Sequence, residues 1–208
     1  MSLLTNWGYT ISDADALPDM LTAEEFSDLT AGKYAGDARI APNISAACSA
    51  VRNYCGWHVY PAQECEFAEY LLYGNGRIKI VGRDLLVQLP AAYVSAVSSV
   101  RIGENVLTDY ALETNGILHI FDVPMLSRKS KLTVEYTAGV ADGMMAGIKE
   151  LISNRVTHAL ASSAGIQSET AGGVSVTYSA SWINSTRASA LADDNKDALT
   201  PYRIQGVF

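Results

Sequence analysis

Residues 142–164, DGMMAGIKELISNRVTHALASSA, form the longest run in the chain with helical periodicity, and the rest is read outward from them. At about 3.6 residues per turn, Met145, Ile148, Ile152, Val156, Ala159 and Leu160 share one arc. Glu150, Ser153, Asn154, Thr157 and Ala161 lie opposite, so the helix has one face to bury. At about 1.5 Å per residue it is about 35 Å long. Burying the large members of the arc, at about 1.5–3 kcal/mol each, contributes on the order of 10 kcal/mol, an upper bound because the unfolded chain already hides some surface. Asp142 is a suitable N-cap and Gly165 a suitable C′ residue. Gly147 costs about 1 kcal/mol relative to Ala, which marks it for a close helix contact. Arg155 falls at the edge of the apolar arc. It reads either as a snorkelling side chain with its head in water or as half of an ion pair between subunits.

Two further helices precede this one. Thr22-Ala-Glu-Glu25 is a capping box, with Leu21 and Phe26 placed as its hydrophobic staple. Gly32 and Gly36 end that helix. Pro42 then opens a second, with Ile44, Ala47, Cys48, Val51 and Cys55 on one face and Gly56 as its stop. Residues 1–20 carry little periodicity and read as an arm or loop. From about residue 64 to 137 the period changes to two. Cys65 and Phe67 start a strand that turns at Gly74-Asn75-Gly76 and returns through Ile78 and Ile80. Gly103-Glu104 and Asn115-Gly116 are further turn signals, the second joining Tyr110–Leu112 to Ile117–Ile120. About six short strands are expected. Beyond the long helix, Val174, Val176 and Tyr178 alternate as a strand with no partner nearby in sequence, so it must pair with the central sheet or another chain. Residues 183–192 are expected as a short helix, 193–197 as a charged turn and 201–208 as an apolar-tipped tail.

The expectation is therefore an α+β fold: a helical core of two N-terminal helices plus one long helix, with an inserted antiparallel β-sheet or small β-barrel. Its segments are 1–62 for the arm and first helices, 63–140 for the β region, 141–166 for the long helix and 167–208 for the C-terminal strand, helix and tail.

A hydrophobic fraction of 49% with 18% charged residues over 208 positions describes a folded chain and excludes disorder throughout. The net charge of −7 argues against tight sequence-indifferent DNA binding, which needs Lys and Arg to release phosphate counterions. The same balance suits a surface that DNA slides past. The first 30 residues hold six acids and neither Lys nor Arg. No run approaches the roughly 18 apolar residues of a membrane helix, and the N-terminus lacks a signal-peptide pattern, so a cytoplasmic protein without a membrane partner is expected. Cys48, Cys55 and Cys65 read as small buried hydrophobes in a reducing compartment.

No catalytic constellation stands out, and no cofactor or metal site is expected. His58, His119 and His158 are scattered without ligand spacing, and the chain has no nucleophile elbow, P-loop or dinucleotide fingerprint. Gly74-Asn75-Gly76 lies between strands and opens no helix. Two basic clusters remain, Arg77/Lys79/Arg83 and Arg128/Lys129/Lys131, each near a turn. They read as solvated loop tips or as contacts to phosphates or an acidic partner. A nucleic-acid-binding β-domain is accordingly the alternative function.

Several phrases follow one another along the chain: Leu-Thr-Ala-Glu-Glu-Phe (21–26), Val-Arg-Asn-Tyr-Cys-Gly-Trp (51–57), the strand into Leu-Pro (86–90), Val-Ser-Ser-Val (97–100) and Tyr-Thr-Ala-Gly (136–139). The long helix, Gly-Gly-Val-Ser-Val-Thr-Tyr (172–178) and Pro-Tyr-Arg (201–203) come after them. The order of these phrases resembles the head-tail connector proteins of tailed bacteriophages. The resemblance implies a structural virion protein without catalysis, assembled in the host cytoplasm and placed in the virion neck. Copies would form a dodecameric ring beneath the portal, extend the channel for duplex DNA without sequence-specific binding, and dock the stopper or tail-completion protein. Arg155, Val174, Val176 and Tyr178 are then candidates for contacts between subunits. Tyr202, Arg203, Ile204, Val207 and Phe208 are candidates for docking to the portal. A free monomer and a preformed ring are both compatible with the sequence.

Overall fold

A computed structural model describes residues 2–12, 14–71, 76–123, 130–161, 168–171, 174–177 and 193–204. The chain forms two units, each built from segments distant in sequence: residues 1–17, 55–141 and 202–208 make one, and residues 18–54 and 142–201 the other. The expected four segments run consecutively instead, so the units regroup them.

The first unit is two antiparallel sheets, which corrects the expected helical core with a small inserted sheet. One sheet has six strands in the order β1-β2-β3-β10-β6-β7, and the other has four in the order β4-β5-β9-β8. The six-stranded sheet comprises β1 (Leu3–Leu4), β2 (Thr10–Ile11), β3 (Gln63–Tyr70), β6 (Val94–Ile102), β7 (Asn105–Val106) and β10 (Lys131–Ala138). The four-stranded sheet comprises β4 (Ile78–Val81), β5 (Asp84–Gln88), β8 (Tyr110–Leu112) and β9 (Ile117–Ile120). Central strand β10 alternates strictly, burying Leu132, Val134, Tyr136 and Ala138. It pairs along its whole length with β3, from Lys131↔Tyr70 to Ala138↔Gln63, and on its other side with β6.

Two expectations for this unit change. The N-terminal arm is strand-forming: β2 adds to β3 with Ile11 opposite Cys65, and Tyr9 and Ile11 are buried. The expected hairpin through residues 74–76 does not join β3 to β4, which belong to different sheets; β4 instead turns back on β5 through Gly82 and Arg83. Turn residues 74 and 75 themselves lie outside the described residues. Elsewhere the turn reading holds. Gly103 (φ 59°) and Glu104 connect β6 to β7, and Asn115 (φ 60°) and Gly116 (φ 72°) connect β8 to β9. Gly116 also meets a steric demand, since a Cβ there would lie 2.2 Å from the Ala91 carbonyl oxygen.

The second unit holds α1 (Ala23–Leu29), most of α2 (Ile40–Cys55), α3 (Ala146–Ala161), α4 (Asp193–Leu199) and the hairpin β11 (Ser168–Ala171) and β12 (Val174–Thr177). The capping box forms as read: Thr22 Oγ1 accepts from Glu25 N at 3.1 Å, and Glu25 Oε2 accepts from Thr22 N at 2.9 Å. Leu21 and Phe26 are both buried beside it. Helix α2 starts two residues before Pro42, whose place in the first turn leaves no helical hydrogen bond unmade. It ends at Gly56, φ 79°.

Helix α3 is shorter than expected, because residues 142–144 form a 3-10 turn. It buries Ile148, Ile152, Val156 and Leu160 as read from the sequence, together with Leu151, Ser153 and Arg155. Burial of Ser153 widens the buried arc into the side expected to be polar. Gly147 makes no close contact, since nothing lies within 4 Å of a Cβ placed there. The strand at β12 is not orphaned: it pairs with β11, Val174 opposite Ala171 and Val176 opposite Glu169. The charged stretch at 193–197 is the start of helix α4 rather than a turn. The short helix expected at 183–192 lies outside the described residues.

Candidate functional site

At the end of α2 the chain turns through Gly56 and buries Trp57. The indole Nε1 donates to the Tyr202 carbonyl at 2.6 Å, and the Ile204 amide donates to the Cys55 carbonyl at 3.1 Å. Tyr93 stacks on Trp57 with centroids 6.2 Å apart and on Tyr202 at 5.7 Å. The segment 202–204 is therefore strapped to the β unit. Of the portal-docking candidates, Tyr202 and Ile204 are half-buried in this strap and Arg203 is exposed. Val207 and Phe208 lie outside the described residues. Burial pushes the Tyr202 phenol up from its ordinary pKa, with Tyr93 adding to the shift.

His58, one of three scattered histidines, is fully buried beside Trp57. Its Nδ1 lies 2.7 Å from the Tyr9 hydroxyl and its Nε2 2.9 Å from the Ala138 carbonyl. The carbonyl can only accept, so Nε2 carries the proton and Nδ1 accepts from Tyr9. The Tyr9 oxygen in turn accepts from His58 N at 3.0 Å. With every polar atom of the pair engaged, this network ties β2 to the end of β10. The three cysteines are free and buried, as read from the sequence. Desolvation raises all three thiols, pushing Cys55 and Cys65 up to about 12, so none is a ready thiolate.

His119 has charged neighbours. On β9, its Nε2 lies 3.3 Å from Asp84 Oδ2 and its Nδ1 3.4 Å from Glu113 Oε1, with the Phe121 ring centred 4.1 Å away. A hydrogen bond from the Asp122 amide holds the Asp84 carboxyl below its ordinary pKa, and His119 assists. Spacing in the sequence gives no hint of this cluster, because it is made by β5, β9 and the end of β8 lying side by side. Among the described residues, no group of three or more His, Cys, Asp and Glu side chains is arranged to hold a metal ion.

The first basic cluster lies along one side of the four-stranded sheet. Arg77 Nη2 donates to the Trp7 carbonyl at 3.5 Å, Lys79 is exposed on β4, and Arg83 pairs with Asp122 at 2.7 Å. Lys131 begins β10 in the other sheet, while Arg128 and Lys129 lie outside the described residues. Lys131 is thus placed on a different sheet from Lys79.

Of the candidates for contacts between subunits, Val174 and Val176 sit in the β11–β12 hairpin, and Tyr178 lies outside the described residues. Arg155 is 2% exposed, which overturns the snorkelling reading. Desolvation lowers its pKa, the sign expected for a cation drawn out of water. The open strand edges carry a feature the sequence reading did not single out. Large apolar side chains there face solvent: Leu4 on β1, Val106 on β7, Ile80 and Val81 on β4, and Leu112 on β8. The available signal was the apolar side chains of Ile80 and Val81 beside a cluster of cations.

Among the described residues, no helix is long and apolar enough to cross a membrane. Compared with protein-family models and with curated proteins, the chain matches none.

Proposed function

We propose that this chain is a structural connector of a tailed-phage neck, acting through contacts with copies of itself and with neighbouring virion components. In this reading copies form a ring beneath the portal, the ring extends the channel for duplex DNA, and its far side docks the stopper or tail. The observation that carries the reading is the set of apolar side chains on open strand edges, on both sheets of one unit. Unpaired edges bearing apolar residues invite strand addition, and soluble chains ordinarily cover or charge them. The acidic balance of −7 supports a channel that does not hold DNA, and the resemblance of the ordered phrases to connector proteins supplies the virion context. The basic clusters give less support to nucleic-acid binding, since Arg83 is engaged by Asp122 and Lys131 sits on a different sheet from Lys79.

Portal docking is tested by a chain ending after Ile204, which keeps the contacts of Tyr202 and Ile204 with Trp57 and Cys55. A longer deletion from residue 199 would also remove buried Leu199 and Tyr202, and so confound docking with folding. The full chain is expected to shift to the mass of a portal-bound ring when mixed with portal, and the chain ending at 204 to lose most of that binding. Equal binding by the two chains would place docking elsewhere. A full chain that never binds portal would reject the connector reading.

A further inference from the structure

Among the described residues, the four-stranded sheet ends in two open edges, β4 and β8, that match each other in backbone, side chains and charge. Gln88 N donates to the Arg77 carbonyl at 2.7 Å, so by the alternation of an antiparallel pair Lys79 and Val81 also bond toward β5. Ile78 and Ile80 then direct their amides and carbonyls to the open side. On β8, Glu113 N donates to Ile117 O at 2.7 Å and Phe121 N to Asp109 O at 3.0 Å, which turns the backbone of Tyr110 and Leu112 outward. Each edge thus offers two outward residues at the same i, i+2 spacing.

We propose that β8 of one copy of this chain adds to β4 of the next, antiparallel, with Ile78 opposite Leu112 and Ile80 opposite Tyr110. Ile78, Ile80, Tyr110 and Leu112 all share the sheet face of buried Leu85, Val87, Leu118 and Ile120. Joining the edges continues that apolar face and covers Ile80 and Leu112, which are 46% and 36% exposed. The other face brings Arg77 opposite Glu113, and Lys79 opposite Ala111 with Asp109 and Glu113 on its diagonals. Cross-strand and diagonal neighbours of opposite charge are favourable.

Charge also selects this pairing over a two-fold one. Joining β4 to β4 about its centre sets Lys79 against Lys79, and joining β8 to β8 sets Asp109 against Glu113, both unfavourable. Strand count gives the geometry: in an antiparallel sheet of four, the two edge strands run in opposite directions. A rotation that preserves strand direction therefore brings β8 antiparallel to the next β4. Repeating one such head-to-tail contact generates a ring if the rotation closes. This names the contact within the proposed ring and rests on that reading for closure alone.

The test is disulfide trapping in the full chain. Residues 79 and 111 would form a non-hydrogen-bonded pair with Cα atoms about 4.5 Å apart, within reach of a disulfide. The native cysteines are buried. Mixing Lys79→Cys with Ala111→Cys chains under mild oxidant is expected to give mixed dimers, with little from either variant alone. The double variant should give a ladder of linked copies. Lys79→Glu should weaken self-association about tenfold, and adding Glu113→Lys in the same chain should restore it. Dimers through 79–79 or 111–111 in equal yield, or no linkage in the mixture, would overturn the contact. Portal binding without 79–111 linkage removes this contact and leaves the connector reading. Linkage without portal binding does the reverse.

Discussion

Strand β10 and helix α3 both carry clean periodicity, yet different interactions fix them in place. Along β10 the backbone pairs with a strand on each side, in continuous register with β3 and with register shifts at Glu135/Tyr136 and Thr137/Ala138 against β6, and at its end Gly139 approaches the backbone of Pro61 and Ala62. A Cβ at Gly139 would lie 2.3 Å from Ala62 Cα and 2.5 Å from Ala62 N, and the residue has φ 154°. Around α3 the fixing interactions are made by side chains, Ile148, Ile152, Val156 and Leu160 among them, and Gly147 has open space around it. The two glycines separate backbone approach from side-chain burial. Where backbone meets backbone, neither side has a rotamer with which to yield.

The same substitution should therefore have opposite signs in the two elements. Gly139→Ala is expected to destabilise the chain by more than about 4 kcal/mol, because relief requires moving Ala62 itself or breaking the bond from Gly139 N to Tyr93 O. Urea unfolding followed by tryptophan fluorescence measures this, and a loss below about 1 kcal/mol would show that the approach relaxes easily. Gly147→Ala is expected to stabilise by about 0.5–1 kcal/mol, since it lowers the entropy of the unfolded chain and meets no clash. A destabilised Gly147→Ala chain would return Gly147 to the role of a contact point and narrow the contrast.

These glycines also show what the sequence could convey. Gly147 interrupts a helical pattern and invites a packing explanation, whereas Gly139 follows a strand and carries no local sign of a close contact. The backbone it meets lies nearly eighty residues earlier, at Pro61 and Ala62. Local chemistry was legible: the Thr22–Glu25 capping box, the stop at Gly56, the Asn115-Gly116 turn and the buried stripe of α3 all rest on neighbours within a few residues. Pairings between distant strands were not. Nothing adjacent to Cys65 announces that Ile11 will lie beside it, and strand β4 carries no sign that it leaves β3 for another sheet. Apolar surface summed within one segment favours the long helix and undercounts a sheet whose core is shared among six strands. The basic residues near β4 were visible as a cluster, but their matching acids near β8 become the opposite edge of the same sheet only once the strand order is known.

The smallest expected effect lies where a helix start and a distant helix share one carboxylate. Glu25 closes the capping box of α1, and its Oε1 accepts from Lys149 Nζ of α3 at 2.5 Å. The Lys149 ammonium and the Thr22 amide hold its pKa below the ordinary 4.5. A carboxyl with a lowered folded-state pKa binds fewer protons in the folded than in the unfolded chain. Its contribution is therefore full above the unfolded value and lost as pH falls through the folded one. The side chain is 41% exposed, so solvent screens the pair. Glu25→Ala should cost about 0.5–1 kcal/mol at pH 7, combining the lost cap with a weak ion pair. The difference between the two chains should shrink steadily below pH 4.5, as the wild-type carboxylate takes up its proton. Glu25→Gln separates the two parts, because the amide oxygen can still accept from Thr22 N while the charge facing Lys149 is gone. Most of the loss in Glu25→Gln would assign the effect to the ion pair; near wild-type stability would assign it to the cap. A stability difference that stays constant from pH 7 to pH 3 would mean that the carboxylate charge does no work between α1 and α3.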